Sequence, residues 1–233
     1  LIIDPARGFE LVDTTGKRYI DGVSSLWCNV HGHRVPELDQ AVRDQLDKVA
    51  HTTMLGQSNP AAIQLAERLV ELTGRHLYSD PDNQTPRLNK VFYSDAGATA
   101  LEVAFKMAIG YWYNNGQPQR NRFIGLAGAY HGDTTGAMAV GYSELFHRAF
   151  RTMLFDIESF PAPDPCRPPE NFAFKADCGD CGLTGTASHC HGQDDRVWPS
   201  ECEAFNQALR DHCLTELAKL LTTQGDRIAA VVI

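Results

Sequence analysis

The chain has 233 residues, 43% hydrophobic and 21% charged, and its 21 Lys+Arg against 29 Asp+Glu leave a formal charge of -8. That composition belongs to a globular protein of one large domain or somewhat more, and an acidic balance without a Lys/Arg-rich stripe argues against a nucleic-acid backbone as partner. No apolar run approaches the roughly 20 residues of a membrane span, and Leu1-Ile2-Ile3-Asp4-Pro5 lacks the basic-then-apolar layout of a signal peptide, so the expectation is a cytoplasmic protein with no membrane partner.

Residues 8–21 hold two short apolar-polar alternations around Thr15-Gly16 and read as a β-hairpin or meander. A helix is predicted over 37–49, begun at Pro36, with Leu38, Ala41, Val42, Gln45 and Leu46 at helical spacing. A second covers 60–72, with Asn59 as N-cap, Pro60 at the first helical position and Gly74 just beyond its end. From about residue 88 the pattern becomes strand, tight turn, helix. Lys90-Val91-Phe92-Tyr93 favours strand, Ser94-Asp95-Ala96-Gly97 is turn chemistry, and 98–113 has the Ala, Leu, Met and Glu content of a strong helix. Arg122-Phe123-Ile124-Gly125-Leu126 repeats the strand and runs into Gly128-Ala129-Tyr130-His131-Gly132-Asp133. A last helix over about 201–221 feeds an apolar strand at 228–233. Strands alternating with helices predict an α/β domain around a mostly parallel sheet with flanking helices. The final run, Ile228-Ala229-Ala230-Val231-Val232-Ile233, stops amid apolar residues, and the chain reads as incomplete.

Four places could carry chemistry. At Ser94-Asp95-Ala96-Gly97-Ala98-Thr99 a helix start offers unpaired N–H groups and a partial positive charge to a phosphate, Gly97 and Ala98 let it approach, and the Thr99 hydroxyl could add a donor. The plainer alternative is a helix capped by Ser94 or Asp95. Tyr130, beside glycines at the end of a parallel strand, is placed to stack on a planar ligand; alternatively it fills a core gap while His131 bonds backbone. In the segment 24–33, His31 and His33 could join Cys28 around a metal, or the segment is a structural turn that positions Trp27. Lastly, four of the seven cysteines, Cys166, Cys178, Cys181 and Cys190, crowd a Pro- and Gly-rich stretch at about 156–199 together with His189 and His191. Without a secretion signal that spacing points to reduced thiols or metal before disulfides. The C-x-x-C pair has the bite for a structural zinc, the alternative being a reduced surface loop.

Three ordered stretches resemble the class III aminotransferases: Tyr19-Ile20-Asp21-Gly22-Val23-Ser24-Ser25-Leu26-Trp27 through His31-Gly32-His33, then Asp95-Ala96-Gly97-Ala98-Thr99-Ala100-Leu101-Glu102 through Ala108, then Tyr130-His131-Gly132-Asp133-Thr134-Thr135-Gly136-Ala137-Met138. The resemblance implies an aspartate aminotransferase-like fold (fold type I) acting as a homodimer with pyridoxal 5'-phosphate. It assigns residues 1–55 to the N-terminal segment of a small domain contributing the β-meander. Residues 56–233 become the first half of a large cofactor-binding domain interrupted at about 156–199. Gly97 and Ala98 match positions that bind the cofactor's phosphate. Tyr130 matches the aromatic against its ring and in the substrate pocket, and Leu26 with Trp27 match pocket-wall residues.

Within the family the likeness points to biotin biosynthesis, where 8-amino-7-oxononanoate is aminated. S-adenosylmethionine is the donor expected, or lysine if Leu26, where the family frequently has Trp, makes a smaller wall. Another class III ω-amine or diamine transaminase, or a non-catalytic metal-binding homologue, are the alternatives. The family's Schiff-base Lys has no match here and is expected beyond Ile233, so the fragment alone is expected to be inactive.

Overall fold

The computed structural model describes residues 1–77, 88–173 and 203–233. It divides into two compact units, Leu1–Val91 and Phe92–Ile233.

The first unit opens with an antiparallel sheet of β1 (Ile3–Arg7), β2 (Glu10–Asp13) and β3 (Arg18–Ile20), in that order. Its β2–β3 turn is tied by one side chain: Asp13 Oδ1 accepts the N–H groups of Thr15 (2.9 Å) and Lys17 (3.0 Å) and the Thr15 hydroxyl (2.6 Å). This confirms the meander and adds β1 ahead of it. A single turn, α1 (Ser24–Trp27), precedes the helices α2 (Pro36–Lys48) and α3 (Pro60–Leu77). Asn59 caps α3 as expected, its Oδ1 accepting the Ala62 N–H at 2.9 Å. The α3 helix runs past the predicted stop at 72, through Gly74, a residue that a helix interior tolerates at about 1 kcal/mol relative to Ala.

The second unit contains α4 (Gly97–Asn114), β4 (Arg122–Leu126), α5 (Thr135–Val140), α6 (Glu144–His147), a 3-10 turn (Arg148–Met153), β5 (Glu158–Phe160), α7 (Glu203–Gln224) and β6 (Ile228–Val232). Its sheet has the order β5-β4-β6 with both pairings parallel. Successive residues of β4 therefore face opposite layers. Phe123 is buried with Phe105 of α4, Val140 and Val232, whereas Ile124 is buried with Phe160 and Ile228 against Leu217 and Leu220 of α7. A parallel strand covered on both faces reads as a continuous apolar run, and that is why β4 and β6 stand out in the sequence. The α4 helix is stapled to β6 by Trp112, whose indole N–H donates to the Ala229 carbonyl at 2.8 Å while Arg120 stacks over its ring at 4.2 Å.

Two expectations are corrected. Lys90-Val91-Phe92-Tyr93 joins no ladder among the described residues. The stretch expected to be loop from 156 begins instead with β5, whose buried Phe160 is carried by the ladder to Leu126. No helix among the described residues is long and apolar enough to cross a membrane.

Candidate functional site

The strand β4 is central: the chain leaves it to form β5 on one side and returns as β6 on the other. The loop after Leu126 thus springs from the carboxyl end of the strand at which the order reverses, the place where open α/β sheets receive ligands. In this loop Tyr130 is 60% exposed, and its phenol donates to Asp133 Oδ2 at 3.0 Å, a bond that raises the phenol pKa above its ordinary value. Tyr130 therefore fills no core gap. Gly132 follows at φ 112°, with its Cα so near α4 that an added Cβ would lie 2.5 Å from the Ala98 Cβ.

The start of α4 forms the other wall. The first intrahelical bond runs from the Ala100 N–H to the Ala96 carbonyl at 3.0 Å. The amides of Gly97, Ala98 and Thr99 precede that ladder and carry the positive end of the helix dipole. Ser94 and Asp95 do not cap these amides. They engage Thr99, which lies 2.6 Å from Ser94 Oγ, donates to Asp95 Oδ1 at 2.7 Å and accepts the Ala96 N–H at 3.1 Å. The Thr99 bond is the main cause of an Asp95 carboxyl held below its usual range. In this arrangement the Thr99 hydroxyl is turned to Asp95 and the Ala96 carbonyl and away from the role of an anion donor.

Gly97 and Ala98 thus meet Tyr130, His131 and Gly132 around one open hollow of about 650 Å³, with Leu101 on its floor. None of the lining residues is acidic, so no carboxylate opposes an anion there. His131 Nε2 is buried with no hydrogen-bond partner among the described residues, which leaves a polar atom for a ligand to satisfy. Small residues, three amides ahead of the helix ladder, an aromatic and an orphaned imidazole nitrogen fit a planar ring that carries a phosphate.

Leu26 and Trp27 belong to the first unit, both largely exposed. They sit in α1, where Ser24, Ser25, Leu26 and Trp27 all take left-handed φ between 48° and 70°. Such residues cost roughly 1–2 kcal/mol each unless their surroundings hold them. The holder is Asp21, which takes the Ser25 N–H and hydroxyl (both 2.8 Å) and lies 2.7 Å from His33 Nε2. Its side chain is 5% exposed. The Ser25 N–H, followed by the His33 and Ser25 side chains, lowers the Asp21 pKa to about 2. His33 is thereby a hydrogen-bond partner of Asp21, and no group of three or more His, Cys, Asp or Glu among the described residues could hold a metal ion. Cys166 is an exposed free thiol, and Cys178, Cys181 and Cys190 lie outside the described residues, so the zinc expectation gains no support.

A carboxyl with a depressed folded-state pKa stabilises fully above about pH 4, and that stabilisation is lost as the pH falls through about 2. Melting temperature is therefore expected to drop between pH 4 and 2. Asp21→Asn should lower it at pH 7 and flatten part of that acid slope; an unchanged slope would mean that Asp21 does not hold the corner.

The sheet order, the switch-point loop and the uncapped helix start together define an open α/β fold with a hollow that fits a phosphate-bearing planar ligand. The aminotransferase class-III family model matches residues 1–233, and the chain belongs to that family. It is similar to the adenosylmethionine-8-amino-7-oxononanoate aminotransferases of Aquifex aeolicus and Geobacter sulfurreducens. The first is 52% identical over 163 residues (70% of this chain and 34% of the relative), the second 37% over 233 (100% and 42%). Among solved structures, the enzyme of that name from Methanocaldococcus jannaschii superposes with a TM-score of 0.71 at 34% identity, covering 100% of this chain and 40% of the other. An amine transaminase from an uncultivated Pseudomonas species, solved with pyridoxal phosphate bound, gives 0.74 at 29%, covering 99% and 43%. The fold is that of the fold-type I transaminases, as expected. The chain spans less than half of the length of the relatives it matches, from 31% to 42% of the curated ones.

Sequence reasoning did not assign roles to Glu102, Asp133 or the Asp21–His33 pair. Glu102 left one signal, a carboxylate inside the apolar run Leu101-Glu102-Val103-Ala104-Phe105.

Proposed function

We propose that the protein carrying this chain aminates 8-amino-7-oxononanoate to 7,8-diaminononanoate with pyridoxal 5'-phosphate, as a step of biotin biosynthesis. The observation that carries the cofactor part is the meeting of Gly97 and Ala98 with Tyr130 around one hollow. The substrate is supported by relatives of that name at up to 52% identity. When bound, the cofactor supplies an electron sink for the substrate carbon and a carrier for the amino group.

The chain's own residues prepare the place for it. The amides of Gly97 and Ala98 receive the phosphate, and the loop at Gly132 comes close enough to set the Tyr130 ring over the hollow. The Tyr130 phenol keeps its proton at neutral pH and directs it to Asp133, a bond that favours one orientation of the ring. On the family resemblance we assign Leu26 and Trp27 to the substrate wall and S-adenosylmethionine to the donor, or lysine if the smaller Leu26 reshapes that wall. We place the protein in the cytoplasm as a homodimer, with residues 1–55 in its small domain and 56–233 in its large one.

Full-length protein supplied with the cofactor is expected to convert the keto acid with one of the two donors. Conversion at background rate with both would overturn the assignment. The higher TM-score to an amine transaminase makes ω-amine transamination the second reading, and amine donors in the same assay separate the two.

A further inference from the structure

We propose that Glu102 is a positioning residue that sets the width of the cofactor hollow by clamping the Tyr130 loop to α4. The inference rests on the cofactor reading above. Ala98 and Glu102 lie four residues apart and so share one face of α4. Opposite them, Gly132 and Gly136 are also four apart, and the two pairs meet in register. At the open end Gly132 touches Ala98, where a Cβ would come within 2.5 Å of the Ala98 Cβ. At the inner end Glu102 Oε1 accepts the N–H groups of Gly136 (2.7 Å) and Ala137 (3.3 Å), the first turn of α5. A Cβ on Gly136 would stand 2.6 Å from Oε2, so a side chain there would press directly on the carboxylate.

The second contact makes the first one hold. Backbone contact at Gly132 and Ala98 is apolar and small, and by itself it lets the loop lift. The carboxylate bond to α5 is charge-assisted and sits at the positive end of a buried helix, Gly136 to Val140 all being buried. It anchors the far end of the same loop, three residues beyond Asp133, and leaves Tyr130 and His131 at one fixed distance from the Gly97 and Ala98 amides. Glu102 does not line the hollow, and its bonds go to backbone amides, so it acts through the loop and not on the cofactor.

The experiment is titration of full-length apoprotein with pyridoxal phosphate, read as a dissociation constant and as the visible circular dichroism of the bound cofactor. Glu102→Ala is expected to weaken binding about ten-fold and to shrink the dichroic band, because the loss of charged hydrogen bonds frees the ring's neighbour Tyr130. Glu102→Gln keeps an acceptor oxygen of the same reach and should restore most of both signals. Should the alanine variant fail to fold, Glu102→Asp, which keeps the charge but is one methylene too short, carries the same expectation. A folded Ala or Asp variant that melts earlier but binds with an unchanged constant and band has lost only structure, and overturns the proposal. Wild-type protein that binds no cofactor overturns the cofactor reading itself, and the role of Glu102 with it.

Discussion

Gly132→Val is expected to lower the affinity for pyridoxal phosphate by about 100-fold while leaving the far-ultraviolet spectrum of the protein intact. Two penalties coincide at this position. The backbone sits at φ 112°, a region that costs a side-chain-bearing residue on the order of 1–3 kcal/mol, and the first added carbon lands 2.5 Å from the Ala98 Cβ. The backbone there cannot yield cheaply, because Ala98 belongs to the first turn of an 18-residue helix whose Phe105 is in the core. The loop yields instead. It lies outside the sheet, so its displacement spares β4 and α4 but carries Tyr130 and His131 away from the Gly97 and Ala98 amides. The measurement is the same cofactor titration, with the melting temperature as a check on folding. Wild-type affinity in the valine variant would mean that the cofactor does not occupy this hollow.

The same residues explain what could be read from sequence. The helix start at Gly97 and Ala98 and the glycine-bearing loop of Tyr130 were legible as turn chemistry, but the local pattern left a plain helix cap and a core-filling Tyr130 open, and only the family resemblance assigned these residues to a cofactor. The central strands were legible to the residue at 122–126, since burial on both faces removes polar positions. The strand β5 was not, because three residues with one buried Phe160 carry too little pattern and exist as a strand only by pairing with Ile124 to Leu126. The opposite error at 90–93 has the same origin: β-propensity describes fit to a ladder, and there no ladder forms among the described residues.

The side-chain clamps were out of reach for a different reason. Glu102 meets Gly136 across 34 residues, and Asp21 meets His33 across 12. Its place inside the apolar run Leu101 to Phe105 marks Glu102 as unusual for a helix carboxylate, but nothing local names Gly136 and Ala137 as its partners. Likewise no propensity scale places Ser24, Ser25, Leu26 and Trp27 at positive φ; the Asp21 carboxylate on Ser25 and the backbone bonds from Trp27 to Val23 and from Cys28 and Asn29 to Ser24 hold them there.

The hollow depends finally on the strand that presents it, and Phe123→Ala is expected to destabilise the second unit by about 3–5 kcal/mol. Phe123 is 3% exposed, and its ring lies 4.7 Å from that of Phe105 and 6.0 Å from that of Phe155. Those three rings join α4, β4 and the segment ahead of β5. Truncation to alanine removes the most buried of three mutually touching rings, and neither a helix on one side nor a ladder on the other can collapse into the gap without breaking the pairing of Phe123 with Ala230 of β6. Against a total of about 5–15 kcal/mol for a typical domain this is a large fraction. Cofactor binding should weaken in step, since β4 delivers the loop that carries Tyr130. Denaturant titration of the full-length protein, with hydrogen exchange followed at the β4 and β6 amides, measures the loss where it arises. Ile124→Val on the opposite face should cost only about 0.5–1.5 kcal/mol, because one methyl is removed and the strand keeps its contacts with α7. If the two variants lose equally little, the aromatic layer repacks around the gap, and the geometry of the hollow is set by the Glu102 clamp and not by the core beneath it.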